Sequence, residues 1–406
     1  MGLNLLRALA PSAPLHVSWD GRGEEWSSLC ARALRVCGCA QGPLRARAMS
    51  SRRGPAARCR RRARSRHWRR RSRTGRALGI ILPGMTYLIP SQEQAHAGLR
   101  AIKVVLTSAG PLDGSRRDAI AAVQRHLLHT DLDIDALAPI APEELARAVE
   151  DPALREQLIN GLCAMTLCGE RVDERELLEV ERFAAALGAR PHAVRQLHHL
   201  YERRLLLLRI DISRSSLLGK NVRRMLDEGG LYGLARNVAS FAGILENEPV
   251  AARYRSLEAY REGTLGKALF TFYRENGFSF PGEKRGVPEG VLTHDLSHIL
   301  AGYGTDLRGE AMTIAFQAGY RRENPFGILV FLLVQLQQGV QLTVLAPSQQ
   351  GMLATPGLAD ELVRSFVRGT KMSIDLMDDW DFWSDMAVDL DELRRRYGVV
   401  PWEAAA

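Results

Sequence analysis

The sequence predicts an all-α protein, two helical domains behind a basic tail that does not fold, and three observations carry that expectation. From Ser91 onward apolar residues recur at spacings of three and four, the period of a helix with one buried face. Prolines stand where helices can begin. The first 77 residues concentrate arginine, and Arg52–Arg76 shows no apolar period. At 406 residues the chain is also too long for one ordinary core, which suits two or three units.

The tail comes first. Residues 1–77 hold 19 arginines against Asp20, Glu24 and Glu25, a charge of +16, so the whole chain's +9 leaves −7 for residues 78–406. The high isoelectric point therefore belongs to the tail, and it gives no reason to expect nucleic acid on the folded part. Thirteen arginines between Arg52 and Arg76 repel one another and cannot bury enough to fold. Three readings stay open for residues 1–78: a basic arm for nucleic acid or anionic lipid, an organelle transit peptide, or sequence upstream of the real start, with Met49 and Met85 as alternative starts. Four of the six cysteines lie here, and Cys163 and Cys168 alone remain in the body, so no disulfide framework organises it. No apolar run reaches the length of a membrane span, because Phe326–Val334 is followed by Gln335, Gln337 and Gln338. A soluble body in a reducing compartment is expected.

The first helical domain is expected over residues 79–215. Leu99, Ile102, Val105 and Leu106 define one helix face, and Ile120, Val123, Leu127 and Leu128 define the next. Pro139, Pro142 and Pro152 stand near later helix starts. A weak repeat of about 59 residues sets Ala109-Gly110-Pro111-Leu112-Asp113 beside Cys168-Gly169-Glu170-Arg171-Val172-Asp173, each a turn opening an amphipathic helix. His198 and His199 are adjacent, so on a helix they diverge by about 100° and do not share an ion. The run Leu205–Leu208 reads as a buried helix segment. On its repeat and turns, the stretch 92–210 resembles the TerB-like family of small helical domains, associated with tellurite resistance and membrane stress. Ala109 and Cys168 replace the first Asp of that family's turns, which argues against metal there.

The second domain, residues 216–406, carries the chemistry. Thr264-Leu265-Gly266-Lys267 starts a helix that ends in the glycine-rich turn at Asn276–Gly282. Next come His294-Asp295-Leu296-Ser297-His298, eleven residues, and Glu310. His294 and His298 at i and i+4 share one helix face, and Asp295 is one step round. Gly302 and Gly304 should break that helix, and Thr305 or Asp306 should cap a second near Leu307, turning the chain back so that Glu310 meets the histidines. Two imidazoles and two carboxylates suit zinc and tolerate iron or manganese. Phe326–Val334, apolar nearly all round, reads as core, as the wall of a prenyl tunnel through Phe326, Leu329, Phe331 and Leu333, or as a membrane-contacting face.

At His-Asp-x-x-His-x11-Glu the sequence resembles the coenzyme Q biosynthesis protein 4 family. Thr264–Gly266, Asn276–Ser279, Gly369-Thr370-Lys371 through Trp380, and Leu390–Pro401 extend the resemblance over residues 225–402. It implies an all-helical ubiquinone-biosynthesis protein that binds a divalent metal, zinc before iron, at His294, Asp295, His298 and Glu310. It also implies a polyprenyl-quinone intermediate as ligand, other enzymes of the pathway as partners, and a peripheral place on a membrane surface. That surface is the cytoplasmic face of the inner membrane, or the mitochondrial matrix side in a eukaryote. A homo-oligomer is compatible with it. The family is regarded both as organiser of the biosynthetic enzymes and as catalyst of oxidative decarboxylation on the ring. The helical region before the motif is absent from typical members, so a different isoprenoid stays open as substrate.

Overall fold

The protein is known from a computed structural model, which describes residues 87–215, 246–343, 347–378 and 380–402. The readings of the tail and of the alternative starts lie outside the described residues. Those described form fifteen α-helices and no strand beyond isolated bridges, so the protein is all-α. None of these helices is long and apolar enough to cross a membrane.

The first seven are α1 (Gln92–Thr107), α2 (Gly114–Val123), α3 (Pro142–Ala148), α4 (Pro152–Leu167), α5 (Glu174–Leu187), α6 (His192–Tyr201) and α7 (Leu205–Ser215). Their starts follow local chemistry. Ser91 and Gln94 close a reciprocal capping box on α1, and Pro142 and Pro152 occupy the first turn of α3 and α4, where a missing N–H costs little. Asp113 and Asp173, sixty residues apart, both cap helices by accepting backbone N–H bonds, so each repeat turn does open a helix. Arg116 on α2 then meets Glu176 on α5, with its Nη2 2.7 and 2.8 Å from the two carboxylate oxygens. Leu99, Val105 and Leu106 are fully buried and Ile120 nearly so, as the spacing predicts.

The leucine run is different from its expectation. Leu208 is fully buried, but Leu206 is 69% and Leu207 45% exposed. Successive helical residues turn by about 100°, so a four-residue apolar run cannot all face one core.

The remaining helices are α8 (Glu248–Arg255), α9 (Leu265–Glu275), α10 (Leu292–Ala301), α11 (Leu307–Tyr320), α12 (Pro325–Leu336), α13 (Leu358–Thr370), α14 (Phe382–Asp385) and α15 (Leu390–Tyr397). Their centre is α11, packed on α10, α12 and above all α13. The α11–α13 crossing is backbone to backbone: a Cβ on Gly319 would lie 2.0 Å from the Phe366 carbonyl oxygen, and one on Gly369 2.1 Å from that of Phe316. Nothing larger than glycine fits at either place.

The two helical regions share one compact unit. Helix α12 packs on α4, and α13 on α2. The glutamines that follow the apolar run do the joining. Gln337 donates to the carbonyls of Cys168 and Gly169, and Gln338 donates to those of Leu167 and Gly169, satisfying the free C-terminal end of α4. His126 and Arg125 both reach Asp360 at the start of α13. Cys163 and Cys168 are buried free thiols, with burial pushing Cys168 up to about 12.

Candidate metal centre

Helices α10 and α11 form the expected hairpin. Gly302, at φ 76°, ends α10 in the left-handed conformation that glycine tolerates best, and Asp306 caps α11 through the Gly309 N–H. Gly309 must also be bare, since a Cβ there would lie 2.1 Å from the Gly304 carbonyl oxygen. Two arginines hold the free end of α10: Arg368 donates to the Ala301 carbonyl, and Arg394 donates to those of Ile299 and Leu300. Cations at a helix C-terminus complement its dipole, so the hairpin is locked from outside the site.

Within it, ligand atoms of His294, His298 and Glu310 all lie within 4.8 Å of one another. The two Nε2 atoms are 3.2 Å apart, His294 Nε2 is 3.1 Å from Glu310 Oε2, and His298 Nε2 is 3.6 Å from Oε1. The far sides of the rings decide which nitrogens are free. Gln317 spends its NH2 group on Ser297 Oγ, so its Oε1 accepts from His294 Nδ1 at 3.2 Å. His298 Nδ1 faces the Tyr303 carbonyl at 3.4 Å, which can only accept, and Thr313 Oγ1 at 3.1 Å. Both rings therefore carry their proton on Nδ1 and turn Nε2 inward, the outer-partner arrangement that orients histidine ligands.

These residues fit a metal. Two nitrogens bound to one tetrahedral zinc at roughly 2.0–2.1 Å each sit about 3.3 Å apart, close to the separation here. Oε1 of Glu310 is buried without a hydrogen-bond partner, an unsatisfied acceptor that a cation would satisfy. In the metal-free protein a proton serves instead. Burial lowers the His294 pKa, but the hydrogen bond and charge of Glu310 outweigh it and raise it to about 9. For Glu310, burial works upward and the two histidines pull it down to about 2.

Asp295 departs from the four-residue ligand set. It is buried, and its Oδ2 accepts from the Tyr273 hydroxyl at 2.5 Å instead of joining the cluster. One helical step, about 100°, carries it off the histidine face toward α9. Burial raises its pKa, against the pull of His294 and Tyr273. Gln317 and Thr313, absent from the sequence reading, had a signal: Glu310, Thr313 and Gln317 stand at i, i+3 and i+7, and the latter two are the polar residues of the otherwise apolar stretch from Ala311 to Gly319 that follows Glu310.

Of the four apolar candidates, Phe326, Leu329 and Leu333 line a cavity of about 180 Å³, and Phe331 does not. Phe331 packs part-buried against the core from another side of α12. The adjacent histidines diverge as expected, with His198 bound to Glu181. Compared with protein-family models, with curated proteins and with solved structures, the chain has no match.

Proposed function

We propose that the chain binds one divalent metal through His294, His298 and Glu310 and acts there on a prenylated aromatic of ubiquinone biosynthesis. The observation that carries the metal is the convergence of two Nε2 atoms and one buried carboxylate whose second oxygen has no hydrogen-bond partner. Two histidines and one glutamate form a set typical of catalytic rather than structural zinc, because three protein ligands leave a position for substrate or water. The pathway and the prenylated substrate rest on the family resemblance of residues 225–402. A bound zinc or iron would polarise a ring carboxylate or carbonyl, and iron would also take part in oxidation.

The chain's own residues supply the rest. Gln317 and Thr313 hold the rings, and Glu310 supplies negative charge. Tyr273 and Asp295 form a buried hydrogen-bonded pair beside the ligands that can hold a proton. The reaction proposed is oxidative decarboxylation of the ring: the carboxyl group leaves as carbon dioxide, a hydroxyl from water takes its place on the ring carbon, and dioxygen accepts the two electrons and two protons released and leaves as hydrogen peroxide. A second reading, a lipid-presenting scaffold with a structural metal, is favoured by one observation: the apolar cavity shares no lining residue with α10 or α11.

Metal analysis of the purified full chain, with mass spectrometry of co-purifying lipid, tests the binding. About one zinc or iron per chain is expected, and no metal after His294→Ala with His298→Ala; stoichiometric metal in that double variant overturns the assignment. Asp295→Asn and Glu310→Gln separate the two roles. In an enzyme they abolish quinone production in a folded protein, whereas in a scaffold quinone output follows the melting temperature.

A further inference from the structure

The cavity beside α12 is built by both helical regions. Helices α1, α2 and α4 supply one wall, including Ile102, Ala119 and Leu162, and α12 and α13 supply the other, including Leu329 and Phe366. Two of its few polar neighbours are engaged at its edge. The Gln157 side chain accepts from the Leu88 N–H at 2.8 Å and donates to the Leu88 carbonyl at 2.7 Å, and the Gln94 side-chain oxygen accepts from the Ser91 N–H in the α1 cap. That clasp lays the segment Tyr87–Pro90 over one side of the cavity, where Tyr87 packs edge-on against Phe366 with ring centroids 5.8 Å apart.

One residue has no architectural reason to be what it is. Gly161 sits in the interior of α4, where glycine weakens a helix relative to alanine, and it lines the cavity. A Cβ built on it would meet no atom within 4 Å, so neither a close approach nor an unusual backbone angle requires glycine there. The pocket is partly open, and apolar surface left facing water is costly, so filling it with an apolar group is favourable. Voids of roughly 150 Å³ with such linings stay dry and bind benzene.

We propose that this cavity is a binding site for a wholly apolar hydrocarbon group, and that Gly161 is bare to leave it room. At about 180 Å³ it takes a single ring or a short branched chain, without any charged or hydrogen-bonding head. The group is either a small free hydrocarbon or the end of a longer lipid whose remainder leaves beside Tyr87–Pro90. The N-terminal helices thereby become half of a ligand site. This inference stands apart from the metal assignment, since no ligand residue of the metal centre touches the cavity.

Calorimetric titration of the full chain with toluene and with n-hexane tests it, alongside the melting temperature. Saturable binding is expected, with a rise of several degrees in melting temperature. Gly161→Leu fills the space: it should raise the ligand-free melting temperature and weaken toluene binding at least tenfold, with metal content unchanged. Gly161→Ala, which adds one methyl and favours the helix, should act in the same direction and serves if the leucine variant does not fold. Farnesol added in competition identifies the source, displacing toluene if the site holds the end of a long chain and leaving it bound if the ligand is compact. The proposal is overturned if neither hydrocarbon binds the wild type, or if both Gly161 variants bind toluene as tightly as it does. Absence of metal from a wild-type protein that binds toluene would count against the metal centre alone.

Discussion

Among the described residues each half of the molecule buries one glutamate between two helices, and the two are treated oppositely. Glu176, fully buried, faces a single guanidinium, and burial keeps its pKa at about 7 although Arg116 pulls it down. Glu310, equally enclosed, faces two imidazoles and is pulled to about 2. A guanidinium does not give up its proton in a protein, so the first cluster is permanently closed by Arg116. An imidazole can, and when it does it becomes a ligand. A buried acid in the first turn of its helix is thus part of a clamp in one region and of a candidate metal centre in the other. The partner's acidity decides which.

The largest expected effect comes from breaking the clamp. Arg116→Leu leaves Glu176 buried and unpaired, and chemical denaturation should show a loss of about 3–5 kcal/mol. Pairing it with Glu176→Leu should recover most of that, since an apolar replacement of both partners removes the desolvation cost. The metal content should stay unchanged in both variants. If the double variant stays as unstable as the single one, the clamp contributes by shape instead of charge.

Next in size is acidity at the metal centre. In the metal-free protein the raised pKa of His294 contributes stability that is fully present below its ordinary value near 6.5 and is lost as pH rises through about 9. The lowered pKa of Glu310 contributes stability that is present above about 4.5 and lost as pH falls through about 2. The metal-free protein should therefore lose on the order of 2 kcal/mol between pH 6.5 and 9.5, measured by denaturation in chelator. Metal binding has the opposite slope, because zinc must displace the His294 proton. Its affinity should keep rising to about pH 9, above the window near 6.5 that isolated histidines give. An affinity that levels off at pH 7 would show that Glu310 does not hold that proton.

Smaller still is the outer support of the rings. Gln317→Leu removes the acceptor that fixes His294, and metal affinity measured by competition should fall about 10- to 100-fold with the fold intact. Thr313→Val should cost less, because the Tyr303 carbonyl still accepts from His298. The smallest effect belongs to the exposed leucines of α7: Leu206→Ser should change stability by less than about 0.5 kcal/mol, measured by thermal melting.

Much of the centre was legible in the chain because it is local. A spacing of four places His294 and His298 on one helix face, and Gly302, Gly304 and Asp306 dictate the turn that returns Glu310 to them. The polar stripe of Glu310, Thr313 and Gln317 was legible by the same rule. Asp295 was not, because a residue one step round a helix goes wherever its neighbour offers a partner, and that neighbour is Tyr273, 22 residues earlier. The burial of Leu205–Leu208 was misread for a related reason: hydrophobicity names the residues that can be buried, and helix phase selects those that are.

By itself the sequence determined the helices, their caps and the hairpin, since these depend on backbone geometry and on residues at most a turn apart. Only the tertiary structure decided the rest. The contact of α4 with α12 decided that the glutamines after Val334 would satisfy carbonyls some 170 residues away, and the contact of α2 with α5 decided that Arg116 would close on Glu176. The space beside Gly161 belongs to this second class too. A void is a property of five helices at once, and no spacing along one chain encodes what all five leave unfilled.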